Sequence, residues 1–349
     1  MTEEQTVSIY QRLMENEALL KRFYAVEKKI LSILSFKDFF EVLLTEIKEQ
    51  FNIPFVWLSL LKNGSANFLI DSVKTLDESL KSNINLIEKN LFFALIGNQT
   101  EPVLANAELK PYFKLLPEGK SYLIKSMAIA PITMDGEVIG SLNHGDASEN
   151  RFHPNMDTFL LEQLAAKVSL CLSNVTAHER LEFLAYHDPL TGLLNRRVME
   201  TVLKREIGRA KRYNMPLSVV FLDLDYFKTV NDTFGHEAGD RLLIHLARSL
   251  EQKSRETDII SRFAGDEFVI ILPETGSDQA NALMNRVKLH LEQTPLIQNG
   301  KEIPVSTSFG VASMEDALPE EDDAASILLK KADERLYQKK ASRKTKATP

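Results

Sequence analysis

Four acidic residues stand at the ends of two apolar segments whose composition favours β-strands. Asp223 and Asp225 close the first segment, and Asp266 and Glu267 open the second, which continues through residues 268–272. Val, Ile and Phe favour a packed strand, and the Ala-Gly step before Asp266 supplies a tight turn into it. Because acidic side chains add nothing to the packing of a strand end, two such clusters predict a divalent-metal site.

The elements that position these acids belong to a chain long enough for two domains. Its 349 residues exceed the usual size of one domain. The content of 44% hydrophobic and 26% charged residues is typical of a globular protein. A net charge of −7 argues against a nucleic-acid partner, because phosphate backbones require a cationic surface.

The sequence shows no feature of a membrane or disulfide-bonded protein. The N-terminal residues lack a basic, apolar leader, and no apolar run approaches the ~20 residues that span a bilayer. We therefore expect a cytoplasmic protein without a membrane partner. Cys171 is the only cysteine, which excludes an intrachain disulfide.

The first half of the chain predicts a small α+β module. Residues 4–50 have the composition of amphipathic helices, and residues 51–61 predict a strand, with residues 67–73 as a possible partner strand. Residues 127–142 predict a hairpin, since Asp-Gly between two apolar runs suits a two-residue turn. We assign residues 1–172 to this first domain.

A long helix is predicted between the two halves. Residues 155–187 contain no glycine or proline, and apolar residues recur at spacings of three and four. One interpretation is a signalling linker that overlaps the last helix of the first domain. The alternative is a helix packed on its own domain.

Three motifs in the second half carry a family resemblance. They occupy residues 187–197, 221–240 and 262–268. In order and spacing they resemble the GGDEF family of diguanylate cyclases. The resemblance implies an α/β (α+β) domain over residues 183–345, with a palm or ferredoxin-like central sheet flanked by helices. It also implies a homodimer that condenses two GTP molecules into cyclic di-GMP and two pyrophosphates.

The resemblance assigns the acidic residues to metal binding and catalysis. Asp223, the backbone carbonyl of Leu224 and Asp266 are implied to hold Mg²⁺, or Mn²⁺ in its place, in agreement with the preference of Mg²⁺ for hard oxygen ligands. Glu267 is implied to assist at the nucleophile or the metal. Such an ion neutralises the charge that grows on the phosphoryl oxygens.

The residues after Asp223 are implied to bind GTP. Backbone N–H groups around Phe227 and Lys228, where a strand turns into a helix, would form a phosphate cradle. Asn231 and Asp240 are implied to hydrogen-bond guanine, and a carboxylate at 240 favours GTP over ATP because guanine presents N–H donors there. The alternative for both residues is helix capping.

Basic residues near the C-terminus are implied to reach the β- and γ-phosphates. The matching positions are Lys340 and Lys344. The family usually carries Arg at the second position, and Lys acts there as a point charge rather than a bidentate fork. The alternative is a solvated basic helix end.

A further motif resembles the product-inhibition site of the family. Arg255 and Asp258 have its Arg-x-x-Asp spacing, and five residues separate Asp258 from Ala264. Arg286 lies where a second arginine for cyclic di-GMP is expected, and guanidinium groups suit phosphates and guanine edges. The alternative for the first two residues is a local ion pair.

Ala264 replaces the first glycine of the family signature. If that position required a positive φ, alanine would be strained by ~1 kcal/mol. We expect an active enzyme, with lower activity if Ala264 is strained or crowds the nucleotide. The alternatives are a catalytically weak or inactive domain that binds GTP or cyclic di-GMP, and a dimerisation scaffold that binds no nucleotide.

The first domain has a looser resemblance to GAF sensors, on the hairpin and the flanking helices. This resemblance implies an antiparallel sheet with helices, and a small ligand or partner of unknown identity that regulates the cyclase. Trp57, Tyr122 and His144 could line a ligand pocket. The alternative for each of them is core packing. The sequence offers no Cys-His pair for haem or bilin.

Overall fold

The computed structural model describes residues 3–62, 67–298, 300–316 and 323–346. The chain forms two compact units, Met1–Leu181 and Glu182–Pro349. Both units combine helices with a β-sheet, which confirms the predicted α/β class. Among the helices in the described ranges, none is both long and apolar enough to span a bilayer.

The first unit is built on a five-stranded sheet with the strand order β2-β1-β5-β4-β3. Residues of α1, α2 and α6 form a core on one face, and α5 covers the other. The elements are α1 (Glu3–Ile30), α2 (Phe36–Phe51), β1 (Phe55–Lys62), α3 (Asn67–Thr75), α4 (Glu78–Lys81), β2 (Ile84–Glu88), α5 (Lys89–Ile96), β3 (Val103–Ala105), a 3₁₀ helix (Lys110–Leu115), β4 (Ser126–Met134), β5 (Glu137–Asp146) and α6 (Phe159–Tyr186).

Two predictions for this unit were wrong. Residues 67–73 belong to helix α3 and not to a strand, because Leu69, Ile70 and Val73 are buried at helical spacing. The sheet is also not purely antiparallel, since β1 and β2 run parallel. Helices α3 and α4 connect these two strands. They carry the chain back to the end of the sheet at which β1 begins, so that β2 can run parallel to β1.

The predicted hairpin is confirmed as β4 and β5. Its turn residues Asp135 and Gly136 both have positive φ, at 52° and 81°. This backbone conformation is typical of the two-residue turns that match the twist of a hairpin.

The predicted long helix forms as α6, and its apolar stripe faces the core of the first unit. Leu164, Val168, Leu172 and Val175 are buried there. The stripe therefore packs on its own unit, as the second interpretation of this segment stated. Its role as a signalling linker stays a prediction.

The second unit contains a five-stranded sheet with the order β12-β7-β9-β8-β6. The first four strands are antiparallel neighbours, which is the order expected of a ferredoxin-like sheet. The elements are β6 (Leu194–Asn195), α7 (Arg196–Tyr213), β7 (Leu217–Leu224), α8 (Phe227–Phe234), α9 (His236–Lys253), β8 (Ile259–Ala264), β9 (Glu267–Pro273), α10 (Ser277–Gln293), β10 (Leu296–Gln298), β11 (Lys301–Ile303), β12 (Thr307–Ser313), a 3₁₀ helix (Met314–Asp316) and α11 (Ala324–Lys346).

Strand β7 is buried along its whole length. Val220 and Leu222 face a core formed with α8, α9 and α10, whereas Val219 and Phe221 face a core formed with α7 and α11. Helices on both faces explain why the strand is apolar from Val219 to Leu222, directly before Asp223. The polar end of this strand is therefore the place to look for a site.

Candidate active site

The ends of β7 and β9 bring the two acidic clusters together. Asp223 pairs with Glu267 across the two strands. Asp266 lies in the turn between β8 and β9, and its carbonyl oxygen accepts a hydrogen bond from the Leu224 N–H at 3.3 Å. The predicted metal ligands thus lie at one edge of the sheet.

The carboxylates at this edge carry more negative charge than the protein neutralises. Asp223 is only 8% exposed. Burial raises its pKa, and the neighbouring Asp266 and Asp225 add to this effect against the opposing influence of Lys340. Burial also raises the pKa of Glu267, with repulsion from Asp223 and Asp266 acting in the same direction. A cation bound here would lower both pKa values.

Lys340 of α11 supplies a positive charge at this edge. Its Nζ lies 2.6 Å from Oδ1 of Asp223, and its side chain is 35% exposed. The alternative of a solvated helix end is therefore wrong for Lys340. The sequence predicted that this lysine reaches a phosphate, and the pairing with Asp223 was not foreseen. The side chain of Lys344 lies outside the described part of the structure.

The position of α11 depends on a close approach to β12 at Gly310. A Cβ atom at this position would lie 2.0 Å from the carbonyl oxygen of Ala332 and 2.5 Å from the backbone nitrogen of Leu336. In the same turn of the helix, Arg335 pairs with Asp316 at 2.6 Å. These contacts fix the helix that carries Lys340.

The donor set at the strand ends fits a hard divalent cation. Asp223, Asp266 and Glu267 offer carboxylate oxygens, and Leu224 offers a backbone carbonyl, which are the oxygen ligands that Mg²⁺ and Mn²⁺ take. Within the described ranges, no three His, Cys, Asp or Glu side chains are grouped as a metal cage. The predicted set contains two carboxylates and one carbonyl from the backbone.

Asp225, the other acid of the first cluster, is held by hydroxyl groups. Ser306 Oγ donates to its Oδ2 at 2.8 Å, and Ser308 Oγ donates to its Oδ1 at 2.7 Å. The Asp225 N–H also donates to the Ser306 carbonyl at 2.9 Å. Asp225 therefore ties the end of β7 to the residues around the start of β12, a role that the sequence did not reveal.

The turn between β7 and α8 has the geometry expected of a phosphate cradle. Tyr226 adopts a left-handed conformation with φ 61°, and α8 starts at the next residue. The first-turn N–H groups of a helix, here including those of Phe227 and Lys228, have no acceptor within the helix. The Lys228 side chain is exposed. These donors are available to an anion.

Asn231 and Asp240 do not occupy helix caps, so the capping alternative is wrong. Asn231 lies within α8, and Asp240 lies within α9, where it is exposed. Oδ1 of Asn231 is buried without a hydrogen-bond partner in the described part of the chain. It faces Gly239, where a Cβ atom would lie 1.9 Å from it. The glycine leaves room for this amide.

Arg262 connects the acidic turn to the start of the second unit. Its Nε donates to the Gly265 carbonyl at 2.9 Å, and its Nη1 donates to both carboxylate oxygens of Asp188 at 3.1 Å. Burial opposes ionisation of Asp188, but hydrogen bonds from Thr191 and Arg262 hold its pKa below the usual range. The motifs contained both residues, but their spacing did not show this link.

Ala264 is not strained. It is the last residue of β8 and pairs with Glu267. The positive φ of the turn, 50°, belongs to Gly265. The glycine replaced by Ala264 in the family signature is therefore not needed for backbone conformation at this position.

The three predicted product-site residues lie near the end of α9. The Arg255 N–H donates to Oδ2 of Asp258 at 2.8 Å, so Asp258 stabilises a turn and the alternative of a side-chain ion pair is wrong. Nη2 of Arg286 donates to the Lys253 carbonyl at 3.0 Å. The structure thus brings Arg286 next to the segment that contains the other two.

Comparisons with known proteins concern the second unit. Residues 185–346 match the family described as diguanylate cyclase, GGDEF domain. The response regulator PleD of Caulobacter vibrioides is 40% identical over 161 residues, which are 46% of this chain and 35% of PleD. The diguanylate cyclase DosC of Escherichia coli K12 is 40% identical over 151 residues, which are 43% of this chain and 32% of DosC. The chain spans about a third of the length of these relatives.

Among solved structures, a sensory box/GGDEF family protein from Caulobacter crescentus is 36% identical to this chain. The match covers 45% of this chain and 98% of that one, with a TM-score of 0.41.

Proposed function

We propose, on the premise that residues 185–346 are a GGDEF domain, that this chain is a diguanylate cyclase. It would condense two GTP molecules into cyclic di-GMP and two pyrophosphates. The observation that carries the proposal is the meeting of Asp223, Asp266 and Glu267 at one sheet edge, with Lys340 2.6 Å from Asp223.

In this proposal the acidic residues hold the metal and receive a proton. Asp223, Asp266 and the Leu224 carbonyl would hold Mg²⁺ or Mn²⁺, which when bound neutralises charge on the reacting phosphate. Glu267 would act at the attacking 3′-hydroxyl. Its position opposite Asp223 at the strand ends, beside Asp266, supports that role, because a general base must lie within reach of the proton it accepts.

The remaining residues would orient GTP. N–H groups at Phe227 and Lys228 would bind phosphate oxygens, and Asn231 and Asp240 would bind the guanine edge. The buried, unpartnered Oδ1 of Asn231 supports this assignment, because leaving such an atom without a partner costs ~1–3 kcal/mol. Lys340, with Lys344, would stabilise the β- and γ-phosphates that leave as pyrophosphate.

Two regulatory features belong to the proposal. Arg255, Asp258 and Arg286 would bind cyclic di-GMP and inhibit the enzyme, and their proximity at the end of α9 supports a common site. The first unit would act as a GAF-like sensor that controls the cyclase through α6. Because each GGDEF domain would present one GTP, the reaction would require two chains as a homodimer.

The test is a reaction of the purified chain with GTP and Mg²⁺, analysed by chromatography for cyclic di-GMP and pyrophosphate. We expect one cyclic di-GMP for every two pyrophosphates, and no product from Asp266→Ala. The exposed acid of the first turn of α10, Asp278, gives a matched control, and Asp278→Asn should keep full activity.

Absence of product at every protein concentration would contradict the proposal. If calorimetry then showed GTP or cyclic di-GMP binding, the receptor alternative would replace it. If no nucleotide bound, the scaffold alternative would replace it.

A further inference from the structure

The first unit contains a cavity of about 550 Å³ that the proposed cyclase reaction does not use. It lies between α1, β5 and the start of α6, and all its lining residues belong to this unit. A space of this volume is within the range of small-molecule binding sites.

The wall of the cavity contains a buried polar group without a partner. His144 on β5 is 1% exposed, and its Nδ1 has no hydrogen-bond partner in the described part of the chain. Burial lowers the pKa of His144 to about 4, although the Ala128 backbone partly offsets this effect. The ring is therefore neutral near pH 7, with one N–H donor and one acceptor.

The charges around the cavity favour an anion. Arg22 and Arg151 line it together with a single acid, Asp157. Oδ1 of Asp157 already accepts a hydrogen bond from the Phe159 N–H at 2.9 Å. Nη2 of Arg151 donates to a backbone carbonyl, and within the described ranges no salt bridge to a carboxylate involves Arg22. The cavity lining therefore has more positively charged side chains than carboxylates that could pair with them.

Apart from Asn16 and Asn150, the rest of the lining is apolar. Leu19 and Phe23 contribute from α1, and Leu160 and Leu164 contribute from α6. Phe152 packs near His144, with ring centroids 6.1 Å apart. Apolar surface of this extent suits a ligand with a hydrocarbon or aromatic body.

We propose that this cavity binds a small organic anion with an apolar body, of the aryl or medium-chain carboxylate class. The body would pack against Leu19, Phe23 and Leu164. The anionic group would pair with Arg22 and Arg151, and an oxygen of the ligand would accept a hydrogen bond from the His144 ring. This site does not depend on the proposed cyclase reaction.

The first experiment uses the fluorescent probe 8-anilinonaphthalene-1-sulfonate, which combines two aromatic groups with one anionic group. Titration of the purified 349-residue chain should show saturable binding of one probe per chain. Arg22→Gln should weaken binding about tenfold or more, because a charge-assisted hydrogen bond contributes ~1.5–3 kcal/mol. Lys28→Gln, on the same helix but outside the cavity lining, should leave binding unchanged.

A second variant tests the location independently. Met156 lines the cavity and is partly exposed, so Met156→Trp should fill the entrance without disturbing the core and should abolish binding. Thermal unfolding of both variants should match that of the unmodified chain. Unchanged probe affinity in Arg22→Gln and Met156→Trp would overturn the proposal.

Competition tests the preferred charge. 4-Phenylbutyrate should displace the probe at concentrations at least tenfold lower than the neutral 4-phenylbutyramide, which has the same apolar body. Equal displacement by the acid and the amide would contradict an anion site.

Discussion

Glu267 is the residue at which charge repulsion in the active site can be measured. Burial and the neighbouring Asp223 and Asp266 raise its pKa, so ionised Glu267 destabilises the metal-free fold. This cost is absent below the ordinary glutamate pKa and is fully present above the raised one. We predict that Glu267→Gln abolishes turnover yet increases the melting temperature at pH 7 without metal.

The difference in melting temperature between Glu267→Gln and the unmodified chain should shrink as the pH falls to 4. Calorimetry across this pH range measures it. A lower melting temperature for the variant at pH 7 would contradict the assigned repulsion.

Gly239 tests whether Asn231 orients the substrate. A Cβ at Gly239 would lie 1.9 Å from Oδ1 of Asn231 and would displace the amide. Alanine also favours the helix, by ~1 kcal/mol over glycine, which offsets the crowding. We predict that Gly239→Ala raises the KM for GTP about three- to tenfold, because the loss of one hydrogen bond to the substrate weakens binding by about this factor. The free energy of unfolding should change little.

The matched control is Gly208→Ala in α7, where the added Cβ meets no atom within 4 Å. This variant should be slightly more stable and should retain its KM. An unchanged KM in Gly239→Ala would remove Asn231 from the substrate site.

The sequence predicted that the acidic residues of the two strand ends lie close together, but it did not predict all of the side chains that contact them. Asp223 and Glu267 could be placed together because each stands at the end of an apolar strand segment. The pairing of Lys340 with Asp223 depends on how closely α11 approaches the sheet at Gly310, which no local pattern encodes. For the same reason, the bonds from Ser306 and Ser308 to Asp225 could not be foreseen.

At the scale of elements, local turn chemistry was predictive and short apolar segments were ambiguous. The Asp-Gly turn identified the β4–β5 hairpin correctly, since both residues tolerate positive φ. Residues 67–73 form α3 and not the predicted strand. A short apolar segment is compatible with both the 3.6-residue period of a helix and the two-residue period of a strand. Burial against α2 decides in favour of the helix, and the sequence does not show that contact.

The contact between α11 and β12 should be essential for the second unit. The Cβ of Gly310→Ala would collide with backbone atoms of Ala332 and Leu336, which cannot rotate away. We predict a loss of about 1–3 kcal/mol in unfolding free energy, typical of overpacking, and reduced turnover because Lys340 moves with the helix.

Gly208→Ala also provides the control for this variant, because its added Cβ meets no atom within 4 Å and it lies inside a helix. Chemical denaturation of both proteins measures the difference. Equal stability of Gly310→Ala and the unmodified chain would show that α11 can shift without cost.

At the scale of the whole molecule, the proposed reaction requires two nucleotide sites to face each other. Specific activity should therefore fall when the protein is diluted below its dimer dissociation constant, as for any active species formed by association. Activity measured over a hundredfold range of protein concentration tests this prediction, with sedimentation at the same concentrations. Constant specific activity of a chain that sediments as a monomer would contradict it.

Trp57 gives the first unit an optical signal of its own. It is the only tryptophan in the chain, it is fully buried, and its Nε1–H donates to the Leu115 carbonyl at 2.7 Å. Tryptophan emission during denaturation therefore follows this unit alone, whereas circular dichroism follows the helices of both. Because the units have separate cores, we expect two distinct midpoints. GTP should shift only the transition that the tryptophan does not report.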